Sequence, residues 1–154
     1  MLAIALAWLH LIALGLGLGA VIQRGTALRR FPAPGALGRA FAADTMWGFA
    51  AGLWISTGLW RLLAGTDKAT GYYMQNHVFF GKMGLLLVIL ALEVGPMVTL
   101  IRWRAALRKG AAEDAVASPA TARRIATVSH VQAAIVVLMV LAAVSMARGL
   151  GYRG

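Results

Sequence analysis

Hydrophobic residues in this chain gather into four long blocks, separated by shorter segments that hold most of the charge. The blocks run over Leu2–Ile22, Thr45–Leu63, Val78–Ile101 and Ile125–Ala147. A bilayer core of ~30 Å needs about 20 residues at 1.5 Å rise per residue, so each block has the length of a membrane-spanning helix. The spacing predicts an all-α integral membrane protein. Short connections keep successive helices antiparallel, which gives an up-down four-helix bundle, with residues 1–154 forming a single membrane domain. The first block also carries Leu18-Gly19-Ala20, which loosely resembles a leader cleavage site. No Lys or Arg precedes it, it is longer than the apolar part of a leader, and three further blocks follow. It therefore reads as a permanent helix.

The third block is the most informative, because ionisable residues interrupt it. Lys82 and Glu93 stand eleven residues apart, with Pro96 near the end. Eleven residues at 100° each make close to three whole turns, so both side chains face one way, about 16 Å apart along the axis. An ionisable group within a span costs roughly 2.5–3.5 kcal/mol on insertion scales and asks for a partner or a purpose. The first block holds His10 near its middle and a Gly15/Gly19 pair spaced for close helix packing. Asp44 stands just before the second block as a candidate N-cap. Within that block Gly48, Gly52 and Ser56 make a small-residue face, and Trp47 and Trp60 mark its ends as interfacial anchors do. His130 lies near the start of the fourth block.

Composition agrees with a membrane protein. The 154 residues are 60% hydrophobic and 13% charged, with a mean hydropathy of +0.76, whereas a soluble domain carries about 25% charged residues. The absence of cysteine excludes disulfides, thiolate metal sites and cysteine nucleophiles. The net charge of +10 suggests nucleic acid only until its distribution is considered. Ten of the fifteen basic residues fall in the first and third connecting segments, Arg24, Arg29, Arg30 and Arg39 in one and Arg102, Arg104, Arg108, Lys109, Arg123 and Arg124 in the other. The positive-inside rule then puts those segments in the cytoplasm and both termini outside. The partners implied are the lipid bilayer and its acidic headgroups, not nucleic acid.

This topology sorts the polar residues by depth. His10 lies about 12 Å below the outer edge of the apolar region and Lys82 about 6 Å below it, with His77 at the rim. Glu93 lies about 12 Å from the inner edge and His130 about 7 Å from it. Two layers are expected: an outer one of His10, Lys82 and His77, and an inner one of Glu93, His130 and Asp44. Each group also has a structural reading, in which a histidine bonds a neighbouring helix, the lysine reaches for headgroups, and Glu93 with His130 forms an ion pair. The functional reading of the outer layer is haem binding, because a neutral histidine in an apolar bundle is a usual axial ligand. His10 is the expected iron ligand, with His77 as a second candidate, and Lys82 is placed to pair with a porphyrin carboxylate or to act catalytically. Glu93 and His130 are candidates for a proton relay or a structural polar pair. No further metal site is indicated, since no HxxxH spacing or group of three ligands occurs on one helix.

At these residues the chain resembles an uncharacterised bacterial family of small membrane proteins, domain of unknown function 2214. The resemblance spans nearly the whole chain. It rests on Trp8-Leu9-His10; on Asp44 with Trp47-Gly48; on Thr57-Gly58 with Arg61; on Phe79 to Lys82; on Pro96 and Arg102-Trp103-Arg104; and on Met146 to Gly149. More distantly it is similar to HemJ-type protoporphyrinogen oxidases and the membrane domain of copper-resistance protein D. In the HemJ type a first-helix histidine and a lysine early in the third helix are functional and haem b is bound, which implies those roles for His10 and Lys82. Those proteins place a histidine two residues before the lysine, where this chain has Phe80.

The expected function is therefore a haem-b-binding membrane oxidoreductase or electron-transfer component. A non-catalytic scaffold or accessory subunit, held in a homo-oligomer or larger complex through its small-residue faces, is the alternative. A proton-coupled or metal transporter using Glu93 and His130 is a weaker one.

Overall fold

A computed structural model describes residues 1–65 and 70–151, with the side chains of residues 70 and 72 left out of that description. Parts of the second connecting segment and of the C-terminal tail therefore lie outside the described residues. Among the described residues every regular element is helical: α1 Leu2–Arg29, α2 Ala36–Leu63, α3 Thr70–Met74, α4 His77–Arg108, α5 Glu113–Val116 and α6 Pro119–Ala147.

The long helices outrun the apolar blocks. α1 continues through Gln23 and Arg24 to Arg29 rather than stopping at Ile22, and α2 begins at Ala36 rather than Thr45. The segment expected to be a loop over 23–43 shrinks to a turn around 30–35. Hydropathy marks where a helix leaves lipid, not where it ends. The alanine-rich run from Ala36 to Ala43 keeps its helical ladder in the polar zone, as its propensity favours. Asp44 consequently lies inside α2 and is not an N-cap; Gly35 holds that position at φ +71°. Pro96 likewise sits within α4, which runs on to Arg108. The starts of α4 and α6 have side-chain caps. Asn76 Oδ1 accepts from the Val78 and Phe79 amides, and Ser118 Oγ accepts from the Thr121 amide ahead of Pro119.

Three of the helices, α1, α4 and α6, are long and apolar enough to cross a membrane. α2 falls short because three tryptophans, three glycines, Ser56, Thr57 and Arg61 dilute its apolar run. It still exposes Met46, Phe49, Leu59, Trp60 and Leu63. The most apolar stretch of α4 is only 17% buried. Leu87, Leu90, Val94, Met97 and Ile101 point outward along it, a surface suited to lipid and not to water.

α1 packs along α2 and α6, and α6 along α4, while α2 and α4 barely touch. Two apolar clusters fill the interior. One, at the basic end, joins Leu28, Phe31, Leu37, Leu100, Trp103 and Ile125; the other, at mid-height, joins Ala13, Val21, Trp47, Ile89, Val136 and Met139. A polar layer separates them. Beyond the second cluster, toward the opposite end, the helices leave a cavity.

Candidate functional site

The polar layer centres on Arg24, which is wholly buried. Its guanidinium has five N–H donors, and all are used. Nε donates to Ser129 Oγ at 3.0 Å, Nη1 to Asp44 at 2.9 Å and Glu93 at 2.6 Å, and Nη2 to Glu93 at 2.9 Å and Gln132 at 2.8 Å. Gln132 returns its amide hydrogens to Glu93 Oε2 and the Ile89 carbonyl. Arg104 adds a weaker contact to Asp44 at 3.4 Å. Two cations and two carboxylates thus balance, and every long helix contributes. A buried charge left unpaired here would be costly, so this closed set reads as the lock that fixes helix positions.

The inner layer expected from the sequence is therefore only partly formed. Asp44 and Glu93 meet in it, but Glu93 pairs with Arg24 and not with His130. His130 turns its Nδ1 to the Ala126 carbonyl of its own helix, 2.6 Å away, and lays its ring against Gly25. A Cβ at Gly25 would come within 2.5 Å of the His130 ring, so glycine is what admits the imidazole. Arg24, Gln132 and Ser129 were not among the sequence candidates. Arg24 looked like a loop residue because it follows the apolar block. The signal for it was the continued helical stripe Ala13, Gly17, Ala20, Arg24, Leu28, in which it occupies a core position.

The outer cavity has a volume of about 460 Å³, within the ~300–1,000 Å³ range of ligand pockets. It is lined from every long helix: His10 and Leu14 of α1, Trp54, Gly58 and Arg61 of α2, Phe79, Lys82 and Leu86 of α4, Met139 and Ala143 of α6. His10 and Lys82 are thus brought together, as expected, whereas His77 is exposed at the start of α4 and does not line the cavity. Lys82 and Glu93 both face the interior, but at different levels, one in the cavity and one in the polar layer.

His10 is anchored to α2. Its Nδ1 lies 3.0 Å from Thr57 Oγ1, and that hydroxyl also reaches the Leu53 carbonyl at 2.8 Å and the Trp54 carbonyl at 3.1 Å. The ring packs at 5.8 Å from Trp54 and over Gly58, where a Cβ would stand 3.0 Å from Cε1. Trp54 is buried, and its indole N–H has no acceptor among the described residues. Lys82 has no hydrogen-bond or ion-pair partner among them either, and Arg61 lies close enough for their like charges to repel. No acidic side chain among the described residues lines the cavity. Among the described residues no group of three or more His, Asp or Glu is placed to hold a bare metal ion.

The cavity therefore combines an imidazole held against Thr57, two basic side chains and an indole donor with no acceptor among the described residues, in an apolar chamber. No curated protein and no solved structure matches the chain. A family model does match, over residues 2–151, and the chain belongs to that family, described as "Predicted membrane protein (DUF2214)".

Proposed function

We propose that the protein is a four-span, up-down helical bundle of the bacterial inner membrane that binds haem b in its outer cavity and serves as a membrane oxidoreductase or electron-transfer component. The observation that carries this reading is the cavity holding His10 and Lys82 together, with the His10 ring held against Thr57. All four long helices expose large apolar side chains, which supports α2 as a fourth span. The basic residues gather at the end opposite the cavity, where α1 and α4 finish and α2 and α6 begin. By the positive-inside rule that end is cytoplasmic, and the termini and the cavity face the periplasm.

The donor set fits the group. His10 would be the residue that holds the iron, and its contact with Thr57 at 3.0 Å orients the ring. Lys82 and Arg61 suit porphyrin carboxylates, and Trp54, Phe79, Leu86 and Met139 provide apolar walls that exclude water. Haem b, when bound, supplies one-electron chemistry. Lys82 would hold a carboxylate or pass a proton at Nζ. The distant HemJ resemblance agrees on His10 and Lys82, while Phe80 in place of a histidine argues against carrying over that family's substrate.

The test is the visible absorption spectrum of detergent-purified protein expressed with ample haem. A Soret band that His10→Ala abolishes is expected; its absence from the wild type, or its persistence in His10→Ala, overturns the reading. A second reading, an accessory subunit of a larger complex or a homo-oligomer, rests on one observation. Gly15, Gly19, Gly48 and Gly52 are exposed with open space where a Cβ would stand, so these small-residue faces are not used within the chain. Purification as a partner-free monomer would remove it.

A further inference from the structure

Three features of the outer cavity remain when His10 is set aside. The first is charge. Lys82 lines a chamber in which no acidic side chain appears among the described residues, and it has no partner among them. A cation in an apolar wall is expensive unless an anion meets it. The second is the buried Trp54 indole N–H, a donor without an acceptor among the described residues in a wall of the same chamber. Both lack the same thing, an oxygen-rich acceptor.

The third is where the cavity opens. Leu11, Leu59 and Val144 belong to its lining, yet they are 63%, 52% and 51% exposed. They lie on α1, α2 and α6, and together they make an apolar rim suited to lipid. On the aqueous side the chain is fastened across the end of the bundle. The Asn76 side-chain amide donates to the Leu150 carbonyl and the His77 amide to that of Gly151, tying the segment after α6 to the start of α4. A molecule in this cavity must therefore suit both an apolar rim and the Lys82 ammonium within.

We propose that the cavity binds a carboxylate amphiphile dissolved in the bilayer, its acid group held by Lys82 and Arg61 and its apolar body lying against Leu86, Met139 and Ala143 after entry through the lipid-facing rim. This rests on the cavity being a ligand site, but not on iron ligation by His10. The shared chemistry is a carboxylate on a large apolar body, which a porphyrin and a long acyl chain both offer.

The test uses the full chain in lipid nanodiscs, with spin-labelled stearic acid and its methyl ester as probes. The acid is expected to give a saturable, motionally restricted component in the electron paramagnetic resonance spectrum. The ester is expected to bind about tenfold more weakly, the scale of one lost charge-assisted hydrogen bond. Lys82→Gln should bring the acid down to the level of the ester, and Lys82→Arg should retain the preference, which separates lost charge from lost folding. Equal binding of acid and ester, or an acid preference unchanged in Lys82→Gln, overturns the proposal. Haem distinguishes the two sources. If it displaces the labelled acid, and does so less well in Lys82→Gln, the carboxylate is that of a porphyrin. If haem neither displaces the acid nor gives a Soret band while the acid preference holds, the amphiphile is acyl and the haem reading alone falls.

Discussion

Arg24 and Glu93 meet side by side, two guanidinium nitrogens on two carboxylate oxygens at 2.6 and 2.9 Å, and so join α1 to α4, helices that otherwise hardly touch. Their partners Asp44 and Gln132 extend the bond to α2 and α6. A fork of this kind fixes both distance and orientation. It therefore sets how far α4 stands from α1, and with that the width of the cavity further along the same helices.

Removing one member strands a buried charge, which costs about 3–5 kcal/mol where it has been measured in other proteins. Glu93→Gln and Arg24→Gln are each expected to destabilise the folded bundle on that scale, read by detergent-driven unfolding. Their effects should be strongly non-additive, since the second change removes a charge the first has already orphaned. Additive losses would mean that the two side chains do not act as one unit.

Gly25 makes a different kind of claim, about His130. An alanine Cβ there would lie 2.5 Å from the His130 Cε1 and 3.2 Å from the Ala126 carbonyl. Overpacking of this sort costs about 1–3 kcal/mol. Gly25→Ala should be destabilising, and His130→Ala should recover much of the loss when added to it. No recovery would show that the imidazole does not occupy the groove, and would reopen a role for it elsewhere.

Much of this architecture was legible in the chain. Four apolar blocks forecast four long helices, and the common facing of Lys82 and Glu93 forecast that both would turn inward. The cavity group of His10 with Lys82 also followed from matching depths. What was hidden lay at the polar edge of the blocks. Arg24 falls beyond Ile22, where hydropathy no longer distinguishes a helix from a loop, and so Glu93 was paired with His130 instead. Helical period carries across that edge and hydropathy does not. His77 stands at the rim, where depth put it, but as the exposed first residue of α4 it does not join His10 and Lys82 in the cavity lining.

Thr57 is expected to act on the cavity through His10. Its hydroxyl lies 3.0 Å from His10 Nδ1 and also reaches the Leu53 and Trp54 carbonyls of its own helix. Thr57→Val keeps the shape and removes the hydroxyl. Under the haem reading, affinity should fall about 10–100-fold, as is usual when the partner of a ligating histidine is lost, while Thr57→Ser retains it. Titration of the apoprotein with haem measures this. An unchanged affinity in Thr57→Val would show that the hydrogen bond does not prepare the imidazole for a ligand.

The last expectation concerns the join between the two ends of the outer layer. His77 is the first residue of α4, so its amide has no carbonyl to meet within the helix. It donates instead to Gly151, 3.1 Å away. Gly151 holds φ at +80°, and a Cβ there would come within 2.6 Å of Val78 Cγ2 and 3.0 Å of Asn76 Oδ1. Gly151→Ala thus meets both a disfavoured backbone angle and a collision with the capping residue. It should release the turn while leaving α4 capped by Asn76. Hydrogen exchange at the His77 amide is then expected to accelerate markedly, with the Val78 and Phe79 amides, held by Asn76 Oδ1, much less affected. Equal acceleration at all three would mean that the cap and the turn open as one unit, and unchanged protection at His77 would mean that the turn does not hold the helix start at all.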